Sequence, residues 1–213
     1  MEQIKVYLIR DYEKYADRIS EKILPPTLQA RWGGLLRKEK AAQIKMSWAL
    51  KCFLTGRSGV ELARDIAVNP YGKPYLPGED LFFSITHAGP YMAGAAGPVE
   101  LGLDLQTERR KNYPVEVLKA WDLVRDGLTP MEVWTAKEAL LKCRGKGWRE
   151  EAGKIRGLDV SHSLIIEGTC YYFGRLHTEE YSLCLCAKDR PFLLYPVLLP
   201  EKSEVGQEEI FGF

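Results

Sequence analysis

Apolar and polar positions alternate at the start of the chain, with Ile4, Val6 and Leu8 set against Lys5, Tyr7 and Ile9. This predicts a strand over 3–10. The spacing becomes helical over 12–24, and Pro25-Pro26 ends that run. A second helix is predicted from about Leu35 to Leu54. Ala41, Ile44, Trp48 and Cys52 share a face there, Lys45 and Lys51 fall elsewhere on the surface, and Gly56 supplies the stop. Two prolines and a glycine make Asn69-Pro-Tyr-Gly-Lys-Pro-Tyr75 a rigid turn that presents Lys73. Leu81–His87 and Tyr91–Gly97 read as a strand pair bent at Gly89-Pro90, with His87 at the bend. Leu101–Gln106 alternates strictly: three leucines point one way, and Gly102, Asp104 and Gln106 point the other.

The second half continues with a charged loop over 108–114 and a short helix over 115–126. The clearest helix in the chain follows. Thr129 caps it, Pro130 suits its first position, Glu132 completes a capping box, and Gly145 ends it. Residues 158–164, 169–176 and 181–187 predict an antiparallel meander, and 198–213 reads as a polar, acidic tail. This order predicts an α+β fold of two lobes similar in composition, 1–100 and 101–197, followed by the tail.

Composition narrows the function classes. The chain has 213 residues, 46% hydrophobic and 28% charged, with a formal net charge of +1, so no overall field points to nucleic acid or an anionic membrane. No apolar run approaches the ~20 residues of a membrane helix, and the N-terminal segment lacks a signal-peptide layout, so a cytoplasmic protein is expected. An odd count of five cysteines argues against a disulfide framework, and Cys184-Leu-Cys186 reads as a pair of buried structural thiols.

Candidate chemistry sits in three places. Trp134, Glu138 and Lys142 recur at i, i+4 and i+8 and line one helix stripe, which suits either a charged substrate or an ordinary salt bridge beside a core tryptophan. Asp104 and Gln106 share one face of a strand, either solvent-facing or offering hard oxygen donors to Mg²⁺. Arg31, Arg37, Lys38, Lys40, Lys45 and Lys51 crowd one region and form either a solvated helix face or an anion site. His162 and His177 have no acid–base partner nearby in sequence and read as structural.

Three ordered stretches resemble the Sfp-type 4′-phosphopantetheinyl transferases. They are Gly72-Lys-Pro74 with the Ser84-Ile-Thr-His87 strand, Gly102-Leu-Asp104, and Trp134-Thr-Ala-Lys-Glu-Ala-Leu-Leu-Lys142 with the trailing Gly145-Lys-Gly147. The resemblance implies two α+β lobes related by a pseudo-twofold axis, with coenzyme A and Mg²⁺ bound between them in a monomer. It implies Mg²⁺-dependent transfer of the 4′-phosphopantetheine arm of coenzyme A to a serine of an acyl or peptidyl carrier protein, releasing adenosine 3′,5′-bisphosphate. By position, Asp104, Gln106 and Glu138 correspond to the metal site, with Gln106 standing where many relatives have an acid. Asp104, Glu138 and Lys142 carry the reaction, Glu138 as general base and Lys142 on the phosphates. Lys73 and Pro74 correspond to the adenosine end of the cofactor, Thr86 and His87 to its phosphate contacts, and Arg31 and Lys51 to the 3′-phosphate. Lys137 belongs to the motif in a secondary role. The segment between the Asp104 and Trp134 motifs is shorter than in that family. That segment and Gln106 keep open a coenzyme A-binding regulatory or interaction module with lost or altered catalysis; a metal-dependent phosphohydrolase acting on pyrophosphates is the third alternative.

Overall fold

The computed structural model describes residues 2–33, 38–107, 127–147, 151, 154–155, 159–160 and 162–199. The first half runs β1 (Glu2–Arg10), α1 (Tyr12–Ala16), a 3-10 turn (Glu21–Ile23), α2 (Pro26–Gly33), α3 (Lys38–Thr55), α4 (Gly59–Asp65), β2 (Ala67–Val68), β3 (Pro74–Tyr75), β4 (Phe82–Ala88) and β5 (Tyr91–Gly97). The second runs β6 (Leu101–Thr107), α5 (Pro130–Arg144), β7 (Ser163–Ile166), β8 (Thr169–His177), β9 (Tyr181–Lys188) and β10 (Phe192–Leu198). The class is α+β.

Two four-stranded sheets carry the architecture, in the orders β10-β1-β5-β4 and β6-β9-β8-β7. In each, the first strand of its half lies antiparallel to the second arm of a hairpin: β1 on β5, and β6 on β9. The inner faces of both sheets share one apolar cluster. Ile4, Val6, Leu8, Ala93 and Ala95 meet Leu101, Leu103, Leu105, Leu183 and Leu185 there. Among the described residues, one long helix covers each outer face. Met46 and Leu50 of α3 pack on Ile9 and Met92, and Val133, Ala136 and Leu140 of α5 pack on Cys184 and Cys186.

Four expectations are revised. The run over 12–24 is not one helix. The chain turns after Ala16 and resumes as the short 3-10 turn, because the carbonyls at the end of α1 find other partners, among them the Lys45 ammonium at 3.0 Å from Ala16 O. Lys45 is accordingly buried rather than on the surface. The strand expected over 158–164 begins at Ser163 instead. Finally, β10, from the stretch assigned to the second half, pairs in parallel with β1 of the first sheet, register Glu2↔Phe192. The loop and helix expected over 108–126, and the tail beyond residue 199, lie outside the described residues.

Candidate functional site

The site forms where the edge strands of the two sheets meet, β4 from one and β6 from the other. They do not join as a ladder. Side chains serve the outward edge of β6 instead. The Leu103 amide donates to Ser84 Oγ at 3.0 Å, and the Leu105 amide to Thr86 Oγ1 at 3.3 Å. The Leu101 carbonyl takes the Lys73 ammonium at 3.1 Å, and the Leu103 carbonyl takes Lys142 at 3.1 Å. An edge strand exposes one donor and one acceptor every second residue, and here the hydroxyl pair Ser84 and Thr86 repeats with that period. The alternation of β4 also splits its motif. Thr86 faces β6, whereas His87 pairs across the hairpin with Met92, on the side of α3.

Helix α5 supplies the other wall. Its capping box forms as expected, with the Glu132 amide on Thr129 Oγ1 and the Thr129 amide on the Glu132 carboxylate, and Gly145 ends it at φ 62°. The helix lies directly on β6. A Cβ at Gly102 would sit 2.2 Å from both the Ala139 carbonyl oxygen and the Cys143 nitrogen, so only glycine permits this approach. Trp134, Glu138 and Lys142 form a half-exposed stripe between buried neighbours. The Asp104 side chain is only 4% exposed, so its face of β6 is covered by α5 rather than by solvent.

Asp104 is the hub. Its Oδ1 accepts from Lys142 Nζ at 2.6 Å and from Thr86 Oγ1 at 3.2 Å, and its Oδ2 from Gln106 Nε2 at 3.0 Å. Glu138 lies within the field of the same groups. Burial raises its pKa above the ordinary glutamate value, the Asp104 charge raises it further, and Lys142 opposes both. His87, at the exposed end of β4, is held below the ordinary imidazole value. Desolvation contributes most, then the Lys40 and Lys142 ammoniums, against the pull of Asp104. Its Nδ1 lies 3.4 Å from Gln43 Nε2. A neutral imidazole among ammoniums and a carboxamide is a setting for an anion.

The sequence-derived residues are therefore only partly gathered. Asp104, Gln106, Lys142 and Thr86 join in one hydrogen-bonded cluster, and the charges of Asp104 and Lys142 reach Glu138 and His87. Lys73 stands at the far end of β6, half-buried, with Nζ on the Leu101 and Cys143 carbonyls, and Pro74 pairs with Val68 in the small β2–β3 ladder. Lys51 lies eight residues beyond Gln43, about 12 Å along α3, with its ammonium 5.7 Å from the Trp48 ring centroid. Arg31 falls in α2, and its side chain lies outside the described residues. Lys137 is buried rather than presented to the site. Gln43 falls outside every motif, and Ser84 and Asn69 stand within theirs with no role of their own expected. The hydroxyl repeat Ser84-x-Thr86 and the Asn-Pro start of the turn were the available signals.

No protein-family model matches the chain, and comparison with curated proteins finds no match. Among the described residues, no three His, Cys, Asp or Glu side chains converge on one point. The oxygen-bearing side chains here are the Asp104 carboxylate, the Gln106 carboxamide hydrogen-bonded to it, and the Glu138 carboxylate, whose charge the Asp104 charge opposes. Hard oxygen donors few in number suit Mg²⁺, which keeps several of its waters.

Proposed function

We propose that this protein transfers the 4′-phosphopantetheine arm of coenzyme A to a serine of an acyl or peptidyl carrier protein, with Asp104, Gln106 and Glu138 as the residues that would hold Mg²⁺. One observation carries the reading: Lys142 pairs with a buried Asp104, and the charges of this pair act on Glu138 and, with Lys40, on His87. The reading places the site between two α+β lobes related by a pseudo-twofold axis. The repeated strand–helix–hairpin order of the two halves supports that arrangement.

The residues divide the work by charge. Breaking a pyrophosphate leaves negative charge on departing oxygens, and Lys142 and Lys40 meet it with fixed positive charge. His87, neutral without ligand, gains a proton readily once an anion sits beside it, and then donates to that anion. The serine hydroxyl must lose its proton as it attacks. Glu138, whose burial raises its proton affinity, is the base that takes it. Thr86 and Gln106 hold Asp104 from two sides and fix its orientation. Bound Mg²⁺ would supply Lewis-acid stabilisation of the same oxygens.

Incubation with coenzyme A, Mg²⁺ and an apo-carrier protein is expected to add the mass of the arm to the carrier. Glu138→Gln is expected to abolish transfer while coenzyme A still binds. No mass shift with several carriers would refute the reading. The neutral Gln106 beside Asp104, with Lys142 already paired to that carboxylate, favours a second reading as a coenzyme A-binding regulatory or interaction module. Calorimetric binding of coenzyme A that ignores Mg²⁺, without transfer, would select it.

A further inference from the structure

The turn Asn69–Lys73 does more than connect β2 to β3. Its backbone is locked from within. Asn69 Oδ1 accepts the amides of Tyr71 and Lys73, both at 2.9 Å, and the Asn69 amide donates to the Lys73 carbonyl at 2.9 Å. This rigid turn reaches out of the first half and grips the end of α5. Asn69 Nδ2 donates to the Gly145 carbonyl at 2.7 Å, and Lys73 Nζ to the Cys143 carbonyl at 3.1 Å. The same ammonium donates to the Leu101 carbonyl, so one charge ties the last turn of α5 to the first residue of β6. The last carbonyls of a helix lack intrahelical donors and carry its negative end, which is where an ammonium and a carboxamide bind best. Gly145 suits the grip: its φ of +62° favours glycine, and a Cβ there would press on Asn69 Nδ2 at 3.1 Å and Lys73 Cδ at 3.3 Å.

We infer that Asn69 and Lys73 form a latch that fixes the register of α5 on β6, and that Lys73 is a positioning residue rather than a cofactor contact. Lys142 lies beside the gripped residue and Glu138 five residues back, about 7.5 Å along the axis. A helix that slid on β6 would carry both away from Asp104. Gly102 permits close contact between helix and strand but contributes no side chain to hold the helix along its axis; Lys142 ties the middle of the contact to Leu103 and Asp104, and the latch holds the C-terminal end.

The inference rests on the proposed function only for the identity of the ions. The test uses Lys73→Met, which keeps the stem and removes the charge, and the milder Asn69→Ala. Amide hydrogen exchange of the full chain is the first readout. Amides over 139–146 are expected to exchange roughly tenfold faster in either variant, the factor given by loss of a hydrogen bond or two, while those of β9 stay as in the parent. Unchanged protection over 139–146 overturns the latch. The second readout is Mn²⁺ titrated into the protein without coenzyme A. Weaker Mn²⁺ binding in both variants, with coenzyme A affinity and its salt dependence retained, supports positioning. Normal Mn²⁺ binding with about tenfold weaker, salt-sensitive coenzyme A binding in Lys73→Met overturns it in favour of a cofactor contact. A parent protein that binds neither Mn²⁺ nor coenzyme A sinks the proposed function, and the exchange data alone then decide the latch.

Discussion

Helices α3 and α5 do the same job in the two halves, each covering the outer face of its sheet, yet they touch the sheet differently. Under α3 a Cβ on Gly94 of β5 would meet the ends of side chains, Leu54 Cδ1 at 2.8 Å and Leu50 Cδ2 at 2.9 Å. Under α5 a Cβ on Gly102 would meet backbone. The lysines differ in the same sense. Lys45 of α3 ends on a carbonyl of its own half, Ala16 O, whereas Lys142 of α5 ends on the carboxylate of Asp104. Chemistry gathers where the helix lies closest to the strand. Only there can a side chain as short as aspartate reach a helix stripe.

The sharpest way to break this comparison is a methyl group. Gly102→Ala is expected to cost about 3 kcal/mol or more, because neither backbone can give way, while Gly94→Ala costs about 1 kcal/mol as two leucine tips shift. Equal losses in urea melts would show that the helices are seated alike. Next in size, Lys142→Met leaves the buried Asp104 carboxylate without its cation, held only by Thr86 and Gln106. With the Lys142 side chain 32% exposed, the expected loss is about 2 kcal/mol, below that of a fully buried pair. Lys45→Met removes one of two donors to the Ala16 carbonyl, the Ile19 amide remaining, and costs about 1 kcal/mol. Thermal melts of the two variants rank them directly.

The smallest effect has the opposite sign. Burial and Asp104 favour the protonated form of Glu138, so the native state binds more protons here than the unfolded chain. Its contribution is fully present below the ordinary glutamate value and is lost as pH rises through the raised one. Glu138→Gln removes that loss. The unliganded variant is expected to melt roughly 2–4 °C above the parent at pH 7, the response of a chain this size to about 1 kcal/mol. At about pH 4, near the ordinary carboxylate value, the two should melt together. A lower melting point at pH 7 would mean that the charged carboxylate stabilises the fold.

Much of the site's scaffold is legible in the sequence because it is set locally. Thr129, Glu132 and Gly145 mark both ends of α5, and strict alternation fixes which side chains of β6 share a face. What covers that face is a tertiary matter. Alternation alone left Asp104 open between solvent and a ligand, and the close seating of α5 buries it. Helix α4 carries a capping box at Ser58 and Glu61, but at seven residues it is too short for its period to register. Strand β10 contains Pro196 and leaves Leu193 and Tyr195 exposed, so no local pattern announces it, and its partner begins at Glu2.

That pairing also bears on the order of folding. Strand β1 can meet β5 once residue 97 has been made, but its other edge waits for residues 192–198. Contacts so distant in sequence form slowly, since a long loop must close before any hydrogen bond rewards it. A nascent chain therefore carries a bare strand edge through most of its synthesis. The first sheet reaches its four described strands only when β10 has left the ribosome.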